Sequence, residues 1–156
     1  MKPKKIYLET TIFNYYFDTN REAHEATVNL FKEIEQGKYK AYTSIYVIDE
    51  LEKCYEPKRG KMIELIKKYK IVVLEKSEKT EKLAEKYIAE GMIPDDYDYD
   101  AFHIAVASIN DLDYIISCNF KHINRINTKV MAEKINIEEG YKGIIICTPM
   151  EVIDNE

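Results

Sequence analysis

Apolar residues arrive in two rhythms along this chain. Short, largely apolar runs recur at Lys5–Leu8 (with Ile6, Tyr7 and Leu8), Tyr39–Thr43, Ile71–Leu74, Tyr114–Ser117 and Ile144–Cys147. Continuous apolar runs of this length, rich in β-branched and aromatic residues, predict strands covered on both faces. Between them the spacing widens to three and four residues, which predicts helices. One carries Ala26, Leu30, Phe31 and Ile34 and ends near Gly37. Another runs from Ile45 to about Cys54, with Ser44 as its cap, and a third from Lys61 to Tyr69 on Met62, Ile63, Leu65 and Ile66. Glu78–Glu90 presents Leu83, Ala84, Tyr87 and Ile88 on one face, and Gly91 and Pro94 stop it. Asp100–Ile109 is apolar on most sides, the mark of a central, buried helix. A short helix is expected over Lys129–Ile135 and a last turn at Pro149, while Thr10 and Thr11 offer a helix cap after the first strand.

Strands alternating with helices imply an α/β fold, a central mainly parallel sheet of about five strands with helices on both faces. Nothing divides the chain: it has no repeat and no Gly/Ser- or Pro-rich linker, so residues 1–156 are expected to form one domain. A chain of this length buries about 68–70% of its unfolded surface, enough for a core without staples. The 46% hydrophobic content excludes a disordered chain. The longest apolar runs are too short for a bilayer, and the basic start Met1-Lys2-Pro3-Lys4-Lys5 is followed by a stretch broken by Glu9, a poor signal peptide. A cytoplasmic protein is expected. Cys54, Cys118 and Cys147 are odd in number and far apart, which argues for reduced thiols rather than a disulfide or zinc framework. The formal net charge of -5 argues against bulk DNA packaging but not against a nuclease with a local basic rim.

In open α/β sheets, ligands bind beyond the carboxyl ends of the strands. Four oxygen-bearing residues fall there. Glu9 follows the first strand, Glu50 lies on the helix after the second, Asp100 opens the buried helix before the fourth, and Asn119 lies just past that strand. Brought together, the three carboxylates would repel one another and would raise their pKa values or demand a cation, and oxygen ligands of this kind suit Mg²⁺ or Mn²⁺. Each residue also has a plainer reading: Glu9 favouring a helix N-terminus, Glu50 on a solvated helix face, Asp100 as an N-cap, Asn119 in a turn.

The order is more telling than any single residue. A strand, an acid and Thr10-Thr11 are followed by Ser44-x5-Glu50, then Asp100-Ala-Phe-His-Ile-Ala-Val-Ala, then Ile115-Ile-Ser-Cys-Asn119-Phe-Lys-His122. This series resembles the PIN-domain family, which includes the VapC-type toxins of bacterial and archaeal toxin–antitoxin pairs. The resemblance runs from Ile6 to about Glu151 and is sharpest over Asp100–His122. It implies a three-layer α/β/α sandwich and a ribonuclease dependent on Mg²⁺ or Mn²⁺. Carried onto this sequence, the family's first acid falls on Glu9, where aspartate is usual, the second on Glu50 and the third on Asp100. These three are the expected metal ligands. The usual fourth acid falls on the neutral Asn119, which can ligate through its carbonyl but cannot act as a general base. Thr10, Ser44, Lys121 and His122 are the expected substrate contacts. A homodimer, an RNA substrate and a protein antitoxin are the implied partners.

Other features are read against plainer alternatives. His103, one helical turn after Asp100, is expected to be a buried, hydrogen-bonded core residue. Lys121 and Arg125 suit an RNA backbone or an exposed turn. The basic run Lys58–Lys70 suits a solvated helix face. Among thirteen tyrosines, Tyr15 and Tyr16 with Phe17 suit base stacking, a partner surface or the core. The Asp95–Asp100 loop lacks the glycine and closing glutamate of a calcium loop. The leading expectation is a metal-dependent endoribonuclease. The alternative is a catalytically weakened PIN-like module that binds RNA or a protein, favoured by Asn119. A nucleotide-binding domain is disfavoured, since neither GxGxxG nor GxxxxGK[ST] occurs.

Overall fold

The computed structural model describes residues 2–153; the domain expected over 1–156 therefore extends past the described residues at both ends. Five strands form one sheet: β1 (Lys4–Leu8), β2 (Tyr39–Ser44), β3 (Val72–Leu74), β4 (Tyr114–Ile116) and β5 (Ile145–Cys147). Every pairing is parallel, in the order β3-β2-β1-β4-β5. β1 is the middle strand, and its Ile6, Tyr7 and Leu8 are fully buried, as an uncharged run in a doubly covered sheet must be.

The helices are α1 (Thr10–Phe17), α2 (His24–Glu35), α3 (Ile45–Leu51), α4 (Lys58–Lys68), α5 (Glu78–Ala89), α6 (Asp98–Ile109), α7 (Ile126–Glu138) and α8 (Pro149–Val152). α6 packs closely on α5, which also meets α7, while α2 packs on α1 and α8. The result is the expected three-layer α/β/α sandwich. α6 is central: Ala101 and Ile104 through Ala107 are fully buried. Ser44 caps α3 as expected, its hydroxyl accepting the Tyr46 N–H at 3.2 Å. Gly91 takes φ +82 after α5, a left-handed residue that lets the chain leave the helix.

The structure departs from expectation in three places. Thr10 and Thr11 do not cap α1; Glu9 holds the cap position, and both threonines lie inside the first turn with their hydroxyls on carboxylates. Asp100 is not an N-cap either, because α6 begins two residues earlier. α7 extends well past Lys129–Ile135 at both ends. Its added turns carry Ile126 and Ile137, 80% and 62% exposed, so they leave no buried-face signal in the sequence. Among the described residues, no helix is long and apolar enough to cross a membrane.

The three cysteines are free; Cys118 and Cys147 are buried, and burial first of all pushes each thiol up to about 12. They are inert side chains of the core. A buried polar network ties α5, α6 and α7 together. The Tyr87 hydroxyl donates to Asn136 Oδ1, Asn136 Nδ2 donates to Ser108 Oγ at 2.9 Å, and Ser108 Oγ donates to the Ile104 carbonyl at 2.8 Å. Asn136→Ala leaves the Tyr87 hydroxyl only its long 3.4 Å contact with Ser108 Oγ. It is expected to cost about 2 kcal/mol, the usual penalty of a buried polar group left unsatisfied, read as a lower urea midpoint with an unchanged slope.

Candidate active site

Strand order reverses at β1, where the chain builds outward through β2 and β3 and then returns to lay β4 and β5 on the other side. The carboxyl ends of β1 and β4 therefore flank a crevice, the usual place for a ligand in such sheets. The register decides what stands there. Leu8 pairs with Ile116, so Glu9 and Ser117 leave the sheet side by side, and the Glu9 N–H closes the ladder on the Ile116 carbonyl at 3.2 Å.

Glu9 is 3% exposed. Its Oε1 accepts the hydroxyls of Thr11 at 2.6 Å and Ser117 at 2.7 Å. Burial raises its pKa; the charge of His103 and the two hydroxyls offset only part of this. Glu50, on α3, uses Oε1 for Thr10 Oγ1 and His103 Nε2, both at 2.6 Å. Burial raises its pKa too, but the His103 hydrogen bond and charge and the Thr10 hydroxyl outweigh it, so Glu50 lies below the ordinary value. Asp100, on α6, has both oxygens engaged: Asn119 Nδ2 donates to Oδ1 at 3.1 Å, and His122 Nδ1 lies 2.8 Å from Oδ2. Burial pushes it up, against the pull of His103 and His122.

His103 is the hub. Its imidazole is fully buried, as expected of it, yet it belongs to the site as well as to the core. Burial lowers its pKa, but the hydrogen bond and charge of Glu50, then the charges of Glu9 and Asp100, carry it above the ordinary value. Behind it, the Tyr7 hydroxyl bonds His103 Nδ1 and Ser44 Oγ, each at 2.7 Å. A continuous chain thus runs Ser44–Tyr7–His103–Glu50–Thr10 and fixes the glutamate from below. Ser44, expected at the substrate, is fully buried in this chain. His122, also expected there, is 7% exposed and stands on Asp100. Lys121 is exposed beside it, with Arg125 a few residues on.

Glu9, Glu50 and Asp100 are thus close enough to act on one imidazole, and Asn119 joins them through Asp100. As the side chains lie, however, no three His, Cys, Asp or Glu groups among the described residues are placed to hold one ion. The donor set still fits a hard divalent cation: three carboxylates from three elements, two of them buried with raised pKa values, a cost that a cation would relieve. Ser117, Thr11 and Tyr7 escaped the sequence reading. The available signal was the polar Ser117 closing the predicted strand Tyr114–Ser117, which the structure ends at Ile116. Tyr16 packs on Phe17, Phe31 and Tyr69 instead of facing the crevice.

A family model for the PIN domain matches residues 6–128. The chain belongs to the PIN-domain family. Among curated proteins none matches. Among solved structures, the fold is similar to VapBC2 from Rickettsia felis bound to a DNA fragment from their promoter. There the TM-score is 0.61 and the identity 13%, over 92% of this chain and 98% of that one. It is also similar to VapC20 of Mycobacterium tuberculosis, a Sarcin-Ricin loop cleaving toxin, with TM-score 0.55 and identity 14% over 78% of this chain and 97% of that one. At such identities the likeness is one of fold.

The raised Glu9 pKa carries a stability consequence. A group easier to protonate folded than unfolded costs stability once ionised, and regains it as pH falls through the folded value. Glu9→Gln supplies a neutral side chain with the same acceptor for Thr11 and Ser117. At pH 7 it is expected to raise the melting temperature by roughly 2–4 °C, the shift of about 1 kcal/mol in a domain this size. The gain should narrow as pH drops and vanish below the ordinary glutamate value of about 4.3. Thermal melts from pH 7 to 4 measure it.

Proposed function

We propose that this PIN-domain protein is a metal-dependent endoribonuclease, the toxin of a type II toxin–antitoxin pair, acting in the cytoplasm. What supports the reading is that Glu9, Glu50 and Asp100, from three separate elements, all bear electrostatically on His103, which Glu50 bonds at 2.6 Å. Likeness in fold to a Sarcin-Ricin loop cleaving toxin and to a VapBC complex supports RNA as substrate and a protein as partner.

Glu9, Glu50 and Asp100 would hold the ion, Mg²⁺ or Mn²⁺. When bound, it supplies the Lewis acid that lowers the pKa of an attacking water and balances charge building at phosphorus. The chain's own residues do the rest. Thr10 and His103 keep Glu50 ionised and oriented. Thr11 and Ser117 fix Glu9 Oε1. These hydroxyl and imidazole partners of Glu9 and Glu50 all bond Oε1, so Oε2 of each is the natural ligand atom. Asp100 must give up Asn119 or His122 to free an oxygen. Lys121 and Arg125 line the exposed side and suit the flanking phosphates. A protein partner has an apolar stripe to use on α7, where Ile126, Val130 and Ile137 are 80%, 62% and 62% exposed on one helix face. A homodimer belongs to the same reading.

The alternative of a weakened PIN-like module has one observation in its favour: the Asn119 amide faces Asp100 as a donor. Cleavage of a labelled RNA decides between the two. The enzyme reading predicts cutting with Mg²⁺ or Mn²⁺, loss with EDTA, and at least a roughly 100-fold fall in Asp100→Asn, the order of effect expected on losing a metal ligand and its charge. RNA that is bound but left intact with both ions would establish the module instead.

A further inference from the structure

The two ends of the sheet carry opposite charge. The acids stand at the carboxyl ends, whereas lysines stand at the amino ends of three neighbouring strands: Lys4 on β1, Lys40 on β2 and Lys70 just ahead of β3. Three adjoining concavities join these lysines to α4. The first lies between α1 and α4 and takes in Lys61, Glu64 and Lys68. The second shares Lys68 and adds Glu35, Tyr39, Lys40 and Lys70. The third takes in Lys2, Lys4 and Lys38, and the pairing of Lys4 with Tyr39 sets it beside the second. Seven exposed lysines against two glutamates therefore line one strip, in a chain whose formal net charge is -5. Among the described residues, Lys2, Lys4, Lys40, Lys61, Lys68 and Lys70 enter no ion pair. Arg59 at the start of α4, by contrast, is answered by Glu56 at 2.8 Å, and Lys142 by Asp113 at 3.1 Å. Lys40 and Lys68 rest over the rings of Tyr42 and Tyr69, 5.5 and 5.3 Å from the centroids, which holds each ammonium without neutralising it.

We propose that this strip is a rail for the RNA backbone, gripping the part of the strand that runs on from the cleavage site toward the amino end of the sheet. The inference rests on the ribonuclease reading and adds to it where the rest of the strand lies. Carboxylates at the carboxyl end repel phosphate, and so does a negative chain as a whole, so a local basic surface must supply the grip. Phosphates that meet lysines release condensed counterions, which gives affinity without regard to sequence. From Lys4 to Glu9 the chain takes five steps of about 3.3 Å, so the rail lies roughly 16 Å from that acid. About five nucleotides at 3.4 Å each cover that span. A protein partner fits less well. Protein interfaces are built around an apolar core, whereas nucleic-acid interfaces are polar and strongly positive. Among the described residues, none of the exposed large apolar side chains lies on α4, β1 or β2. The sequence shows only half of the rail: the basic run Lys58–Lys70, which alone suits a solvated helix face, is joined in the fold by lysines from β1 and β2.

The test measures binding rather than cutting, with Asp100→Asn as the parent so that RNA survives. A labelled eighteen-nucleotide oligouridylate is titrated by fluorescence anisotropy in Mg²⁺ at several salt concentrations. The rail variant combines Lys4→Ala, Lys40→Ala and Lys68→Ala. A control combines Lys79→Ala, Lys82→Ala and Lys134→Ala, exposed lysines outside the strip. Near about 0.1 M salt the rail variant is expected to bind at least about tenfold more weakly than the parent. Its slope of log affinity against log salt should be smaller by about two, at about 0.7 per lost phosphate contact. The control, which loses the same charge, should stay within about threefold of the parent, as should the triple Lys4→Arg, Lys40→Arg, Lys68→Arg, which keeps the charge. Melting curves that match the parent separate a lost contact from a loosened fold. A rail variant that binds like the parent, or a control that weakens as much, overturns the rail and leaves the nuclease reading standing. If the rail variant keeps the RNA but loses a labelled dodecaglutamate that the parent holds, the strip serves an acidic protein segment and the proposal falls. Wild-type protein that loses RNA affinity with the same three substitutions yet never cuts RNA overturns the nuclease reading alone.

Discussion

A carboxylate taken out of water must find compensation or give up its charge. That constraint shapes everything at the carboxyl end of this sheet. Parallel pairing of Leu8 with Ile116 sends Glu9 into a buried corner. Helices α3 and α6 bring Glu50 and Asp100 into the same electrostatic neighbourhood. In the protein alone, two hydroxyls hold Glu9, a hydroxyl and an imidazole hold Glu50, and an amide and an imidazole hold Asp100. The compensation is partial, since Glu9 and Asp100 remain harder to ionise than ordinary acids. A bound cation would relieve the remaining cost.

The constraint also explains the second layer. Glu50 alone among the three is easier to ionise than usual, and it alone is tied to a relay reaching the core through His103, Tyr7 and Ser44. Tyr7 and Ser44 lie on adjacent strands and His103 lies on the central helix, so the sheet and α6 hold the acid from beneath. Rigid elements therefore set the floor of the crevice, while its rim is built from loops: the turn bearing Tyr97 and the segment from Asn119 to Arg125.

Much of this was legible in the residues. Strands announced themselves as short, largely apolar runs, because both sheet faces are covered. The three acids were singled out because ligands gather beyond strand ends. The order of the motifs pointed to the PIN-domain family, to which the chain belongs. The features that stayed hidden have physical causes. In the added turns of α7 the buried positions, Thr128 and Asn136, are polar and the apolar Ile126 and Ile137 are exposed, so no apolar periodicity marks them. Thr10 and Thr11 looked like caps because threonine serves as one, but the helix starts at Thr10, so Glu9 takes the cap position and the threonine hydroxyls are left to donate to carboxylates. His103 was read as a core histidine, and Ser44 and His122 as substrate contacts. No spacing rule tells a buried residue that fills space from one that holds an acid, since that depends on which side chain arrives from another element.

Diffraction from crystals soaked in Mn²⁺, recorded for the anomalous signal of the metal, tests the central claim most directly. The account predicts one Mn²⁺ ligated by Glu9, Glu50 and Asp100 together, with Asp100 turned away from His122 or Asn119 to reach it. Crystals in which Asp100 keeps both partners, and no anomalous density lies between the three carboxylates, would contradict it.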